Sequence, residues 1–257
     1  MSEKPLLMNG FGVKATLAGK KIMTRRPMRV QPTSANLETL ERSYGGCCDI
    51  DGYYQALTAG DMGYEATTLR SPYGHYGDLL YVRETCRAEE LPNGVDGIRY
   101  AADNAFIEIE NTKEAGEQWT KMYNYRHGQG LWIPSIHMPK VATRLWLINE
   151  GTGVERLQDI SWQDAEAEGW PVDQELFPTV NREVKTVRWF SKLWDSVYSA
   201  PKSVHINGIV DHYVSYPWDN VQEVGEHRGK LWFIVGNAWL WKLRYSIREK
   251  RNNEATR

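Results

Sequence analysis

Gly77 and Asp78 form a turn dipeptide that opens an apolar, β-prone run through residues 79–85, the strongest strand pattern in the first half of the chain. Its counterparts near the other end are residues 231–235 and 239–247, both rich in aromatic side chains. Between them, residues 160–169 carry the clearest helix pattern: Ser161 as N-cap, Asp164 three residues on, alanines inside and Gly169 as the stop. A second helix is expected over 183–198, where Val184, Val187, Phe190, Leu193, Trp194 and Val197 recur at helical spacing. Strands and helices mixed in this way predict an α+β fold.

Other segments read less sharply. Residues 5–8 suit a first strand, and residues 11–18 a short helix ended by Gly19. Strands are expected near 98–101, 106–109, 142–149 and 153–157, and a short helix over 113–121. Residues 132–140 contain two prolines and read as a structured loop, and 199–231 read as loop. No internal repeat or low-complexity linker divides the 257 residues. They read as a single domain over 1–249, with insertions at about 31–76 and 88–130 and a flexible tail at 250–257.

Thirty-one Lys+Arg against 33 Asp+Glu leave a net charge of −2, which argues against a protein that coats nucleic acid through bulk charge. The 11 Trp and 14 Tyr suit cores and also surfaces that stack on bases. Cys47, Cys48 and Cys86 contain no C-x-x-C pair, and the six histidines show no ligand spacing, so neither a metal nor a cofactor is expected. The amino terminus has no signal-peptide pattern, and no apolar run approaches the roughly 18 residues of a membrane span. A soluble, cytoplasmic protein without membrane partners is the expectation.

Two places carry candidate chemistry. Lys20, Lys21, Arg25, Arg26 and Arg29 make a dense basic segment. In a straight strand Lys21 and Thr24 would face opposite sides, so they converge only if the chain turns after Gly19. Brought together, a desolvated lysine and a threonine hydroxyl form a nucleophile pair. Read alone, the segment is better explained as solvated cations answering a helix C-terminus. Glu168 falls in the last turn of its helix, where the dipole disfavours negative charge. It needs a nearby cation or a retained proton, although a plain surface glutamate explains it more simply.

The string Gly19-x-Lys21-x-x-Thr24-x-Arg26 resembles the G-x-K-x-x-T-x-R hallmark of the ASCH superfamily. The strand after Gly77 and Asp78 is similar to the family's G-D-x-L-x-V strand. Residues 154–169 resemble its strand-to-helix segment ending in an acid, and 239–245 its closing strand. Tyr81, Arg83, Glu84, Pro134, His137 and Arg144 lie in blocks resembling a longer group of ASCH-like proteins common in phages and prophages. The four ASCH blocks, from the hallmark to the closing strand, cover about 100 residues in family order.

The resemblance implies a PUA-like (ASCH) mixed β-barrel with flanking helices and large loop insertions. It also implies an amidohydrolase that removes the acyl group of N4-acetylcytidine or a related small modified nucleoside. Lys21, Thr24 and Glu168 would be catalytic. Arg26 would bind substrate or shape the pocket, and Glu84 and His137 are expected as further substrate contacts; His137 could equally brace its loop. In one version neutral Lys21 takes the proton of Thr24 as its hydroxyl attacks the acyl carbon; in a rival version Glu168 activates water and Thr24 positions substrate. A different class is also open: a non-catalytic module that binds RNA or modified nucleotides through the basic run and aromatic side chains. Chain length, more than twice that of the minimal enzymes, leaves the substrate less defined than the fold. Oligomeric state is not read from the sequence.

Overall fold

Asn9 accepts a hydrogen bond from the amide of Gly12 at 2.8 Å and so starts the first helix, α1 (Gly10–Leu17). That helix ends where Gly19 takes φ +68°, a left-handed position that favours glycine. The computed structural model describes residues 1–31, 53–60, 63–171 and 181–248. The tail expected at 250–257 and much of the insertion at 31–76 lie outside the described residues. These hold four α-helices with several sheets, a mixed α+β architecture in which no sheet closes into a barrel. They cluster into two compact units built from interleaved chain segments.

Among the described residues the first unit comprises 1–19, 72–150 and 245–248. Strand β1 (Glu3–Leu7) pairs in parallel with β5 (Leu79–Arg83), and β5 pairs antiparallel with the beginning of β9 (Trp146–Arg156). Leu6, Leu80, Val82 and Leu147 are buried along these strands. A three-stranded antiparallel sheet follows: β6 (Cys86–Glu90), β7 (Asp96–Tyr100) and β8 (Phe106–Glu108). Helix α2 (Lys113–Tyr123) belongs to the same region, capped by Thr112. Cys86, Ala88, Ile98, Tyr100, Met122, Ile133 and Met138 form the core here. Burial, reinforced by Glu84, pushes the Cys86 thiol up to about 12, so it packs as an apolar group.

The second unit comprises the described residues within 20–71 and 151–244. Strand β2 (Met23–Pro27) pairs antiparallel with β14 (Trp239–Ile247), with Arg25 opposite Lys242 and Thr24 opposite Leu243. β3 (Tyr53–Gly60) and β4 (Gly63–Arg70) form a hairpin. Helices α3 (Trp162–Ala167) and α4 (Arg182–Tyr198) follow, each started by the side chain of the preceding residue. Phe190 and Trp194 are the buried apolar side chains of α4, packed with Leu157, Ile160, Tyr216 and Leu240. Val184, expected on that face, is exposed, because it sits in the first turn, ahead of the core.

Two expectations are corrected here. Residues 142–149 and 153–157 do not form two strands: β9 runs unbroken from 146 to 156, through Gly151 and Gly153. Residues 199–231 are not loop but hold β10 (Lys202–Ile206), β11 (Ile209–Ser215) and β12 (Gln222–His227), which join β13 (Lys230–Val235) in the order β10-β11-β13-β12. Asn207 and Gly208 both take positive φ, as do Arg228 and Gly229, and each pair makes a two-residue hairpin turn. β10 and β12 are largely exposed, so their polar composition hid them.

Candidate functional site

The second unit gathers a group of buried charges around the end of α3. Ser161 caps the helix by accepting from the Asp164 amide at 3.1 Å, and Gly169 at φ +104° ends it. Glu168 is therefore the C-cap, at the negative end of the helix dipole. Lys21 forms an isolated antiparallel bridge with Glu168 just ahead of β2, fixed further by the Ile22 amide donating to Ala167 O at 2.9 Å. Lys21 is 6% exposed and Glu168 3%, so both are desolvated.

The Lys21 ammonium donates to Glu168 Oε2 and, at 3.2 Å, to Glu168 O. Arg25 approaches the other carboxylate oxygen, with Nη1 3.2 Å from Oε1. Its remaining nitrogens are held as well: Nη2 donates to Asp164 Oδ2 at 2.6 Å, and Nε to Glu155 Oε1. Lys242 on β14 completes the group, 2.8 Å from Glu155 Oε2 and 3.4 Å from Asp164 Oδ2.

Burial pulls the Lys21 amine below the usual lysine range. Glu168 works against that shift by attraction and hydrogen bonding, while Arg26 and Arg25 repel the proton and add to it. Burial also opposes the charge on Arg25, but Glu168, Glu155 and Asp164 outweigh it and hold the guanidinium charged. The outcome is a lysine able to exchange a proton beside an arginine that is not.

Thr24 is buried on β2, one position before Arg25, so strand alternation directs the two side chains to opposite faces. Among the described residues no hydrogen bond joins Thr24 Oγ1 to Lys21 or Glu168. Arg26 donates to the Tyr198 hydroxyl at 2.9 Å, and Lys202 lies 4.2 Å from the centroid of the same ring. Lys21 and Glu168 are thus brought together; Thr24 and Arg26 belong to the same unit without bonding to that pair.

Glu84 and His137 are in the first unit. Glu84 is buried, and its two oxygens accept from Arg144 Nε and Nη2 at 2.7 and 2.8 Å. Arg144 also reaches Asp103, at 2.8 and 2.9 Å, and lies 4.1 Å from the centroid of the Tyr100 ring. Arg83, next to Glu84, turns the other way and donates to Met138 O and Ile136 O at 3.0 and 2.5 Å. His137 is exposed on a single 3-10 turn (Ser135–His137), its ring 6.1 Å from that of Tyr125.

Arg25, Glu155 and Lys242 were missed as site residues, and Asp164 was read only as part of a capping pattern. A signal existed: Arg25 lies four residues after Lys21, on the same strand face if the strand runs on from 21. Glu155 and Lys242 carry no pattern that points to the site. Among the described residues no group of three or more His, Cys, Asp or Glu side chains is arranged to hold a metal ion. None of their helices is long and apolar enough to cross a membrane. No family model, no curated protein and no solved structure matches the chain.

Proposed function

We propose that this protein is an amidohydrolase of ASCH type, on a PUA-like scaffold, that removes the acyl group from N4-acylated cytidine or a related modified nucleoside. The observation that carries the reading is the buried contact between Lys21 and Glu168, 147 residues apart in sequence, at the two positions where the family resemblance expects a lysine and an acid. Amide hydrolysis needs a group that takes a proton from the nucleophile and returns it to the leaving amine. A buried amine below the usual lysine range suits both steps: its neutral form accepts the proton and its ammonium returns it.

The balanced reaction is short. A water oxygen bonds to the acyl carbon as its proton passes to Lys21 Nζ. The C–N bond then breaks, Lys21 returns the proton to N4, and cytidine and the carboxylic acid leave. Glu168 orients the amine and offsets its charge while it is protonated, so its removal raises the barrier. Thr24 as nucleophile gives the same balance in two halves, through an acyl ester that water hydrolyses. The lack of a hydrogen bond between Thr24 and Lys21 among the described residues favours water, with Thr24 positioning the acyl group.

A non-catalytic module that binds RNA or modified nucleotides would draw on the basic run, but Lys21 and Arg25 in that run are buried and ion-paired rather than offered to phosphates. The discriminating experiment pairs two assays. N4-acetylcytidine is incubated with the protein and followed for cytidine, and binding of an RNA oligonucleotide is measured against salt. Cytidine release that is lost in Lys21→Met supports the hydrolase. Steep salt-dependent RNA binding with no hydrolysis favours the module.

A further inference from the structure

We propose that Arg25 is a positioning residue of this site: it holds one oxygen of Glu168 so that the other is presented to Lys21, and it shares that carboxylate's charge. Its consequence for catalysis rests on the amidohydrolase reading; its effect on Lys21 does not. The ASCH hallmark leaves position 25 unspecified, so the resemblance assigns this residue no role.

The geometry leaves the guanidinium little freedom. Its side chain is fully buried, and its three nitrogens meet carboxylates from three places: Glu155 on β9, Asp164 in the first turn of α3 and Glu168 at the end of α3. The Phe190 ring lies 5.9 Å from its central carbon and closes an apolar side. A planar fork with fixed donor directions can hold several carboxylates at set angles, which a lysine cannot. Arg25 therefore ties both ends of α3 to β2 and sets the rotation of the Glu168 carboxylate.

The charges decide what this does to Lys21. Arg25 and Lys242 balance Glu155 and Asp164, which leaves Glu168 as the carboxylate of this group that faces Lys21. The charged groups acting on Lys21 are Glu168 at the end of α3 and Arg25 and Arg26 on β2. Exchanging Arg25 for a neutral side chain removes a cation 3.2 Å from Glu168. The carboxylate then attracts the Lys21 proton more strongly, and the amine becomes a poorer source of its neutral form at moderate pH. A purely structural ion pair would move the Lys21 titration through its charge alone, so Arg25→Lys, which keeps that charge, would keep kcat as well.

The test uses full-length protein carrying 13C at lysine Cε, with the Lys21 resonance assigned by its loss in Lys21→Met. The Lys21 titration midpoint should rise by about one pH unit or more in Arg25→Met. Arg25→Gln, neutral but still a donor, should show the same rise and serves where Arg25→Met does not fold. Arg25→Lys should return the midpoint toward wild type. It should also leave KM for N4-acetylcytidine within about twofold while lowering kcat about tenfold, because the charge returns but the fork does not. A midpoint unmoved or lowered in the folded neutral variant overturns the proposal. Wild-type protein that leaves N4-acetylcytidine intact removes the catalytic consequence alone, since the titration still decides the role of Arg25.

Discussion

Lys21 Nζ meets Glu168 twice, at the carboxylate Oε2 and, at 3.2 Å, at the backbone carbonyl oxygen. One amine thus answers both the C-cap carbonyl of α3 and the carboxylate that the helix dipole disfavours at that end. Glu168 is positioned by three elements at once: its own helix, the segment before β2 through Lys21, and β2 itself through Arg25.

Removing the carboxylate should be costly to the fold. In Glu168→Ala, Lys21 and Arg25 lose a buried counter-charge, and stability should fall by about 3–5 kcal/mol. Glu168→Gln keeps the shape and an acceptor oxygen and should fall by less. Urea unfolding of both variants beside wild type checks this; equal stability of Glu168→Ala and wild type contradicts the buried pairing.

The pH dependence of deacylation follows from the direction of the Lys21 shift. In the proposed reaction the working form is the neutral amine, so kcat/KM should rise with pH as Lys21 loses its proton, with a midpoint below the ordinary lysine value of 10.5. Lys21→Arg, which stays charged, should remove that limb with the activity, a loss of about 10²–10⁴-fold. A rate that falls with pH over that range contradicts the role of the amine.

In the first unit, Arg144→Met leaves Glu84 buried without its bidentate partner and should cost about 3–5 kcal/mol. Adding Glu84→Gln should recover part of that loss, because the stranded charge is gone. A double-mutant cycle from denaturant unfolding measures the coupling; additive single effects contradict it.

Asp78 should make stability sensitive to acid. Burial works against its charge, but donors from Ser2, at 2.5 and 2.6 Å, and the amide of His75, at 3.3 Å, outweigh burial and hold the carboxyl below its ordinary value of 3.8. The stabilisation is full above the unfolded-state value and is lost as pH falls through the lower folded-state value. Asp78→Asn should therefore be less stable than wild type at pH 7, with a difference that narrows below about pH 4. A difference constant with pH contradicts the linkage. Gly74 belongs to this device: it takes φ +74°, and a Cβ there would collide with the Asp78 carboxylate.

Much of the framework was legible in the residues. Ser161 and Gly169 marked the ends of α3, Gly19 the end of α1, and residues 239–247 coincide with β14. What failed did so for physical reasons. The strands β10 and β12 expose most of their side chains and so lack an apolar alternation, although Asn207 and Gly208 were a readable hairpin signal. Two strands were expected at 142–149 and 153–157, yet β9 runs through Gly151 and Gly153, because a strand accommodates glycine at some cost. At the site, Lys21 and Glu168 could be named from the resemblance. The group around Arg25 could not, because Glu155, Asp164 and Lys242 converge only through tertiary packing. Thr24 shares β2 with Arg25 but not its side of the strand, a distinction the one-dimensional motif does not carry.

The most direct measurement is release of cytidine from N4-acetylcytidine by wild type, Lys21→Met and Glu168→Gln, each first shown to be folded. The reading of Lys21 and Glu168 as one proton-transferring pair predicts release by wild type and a loss of about 10²-fold or more in each variant. Folded variants that release cytidine as fast as wild type would contradict it, and so would a wild type that leaves the substrate intact.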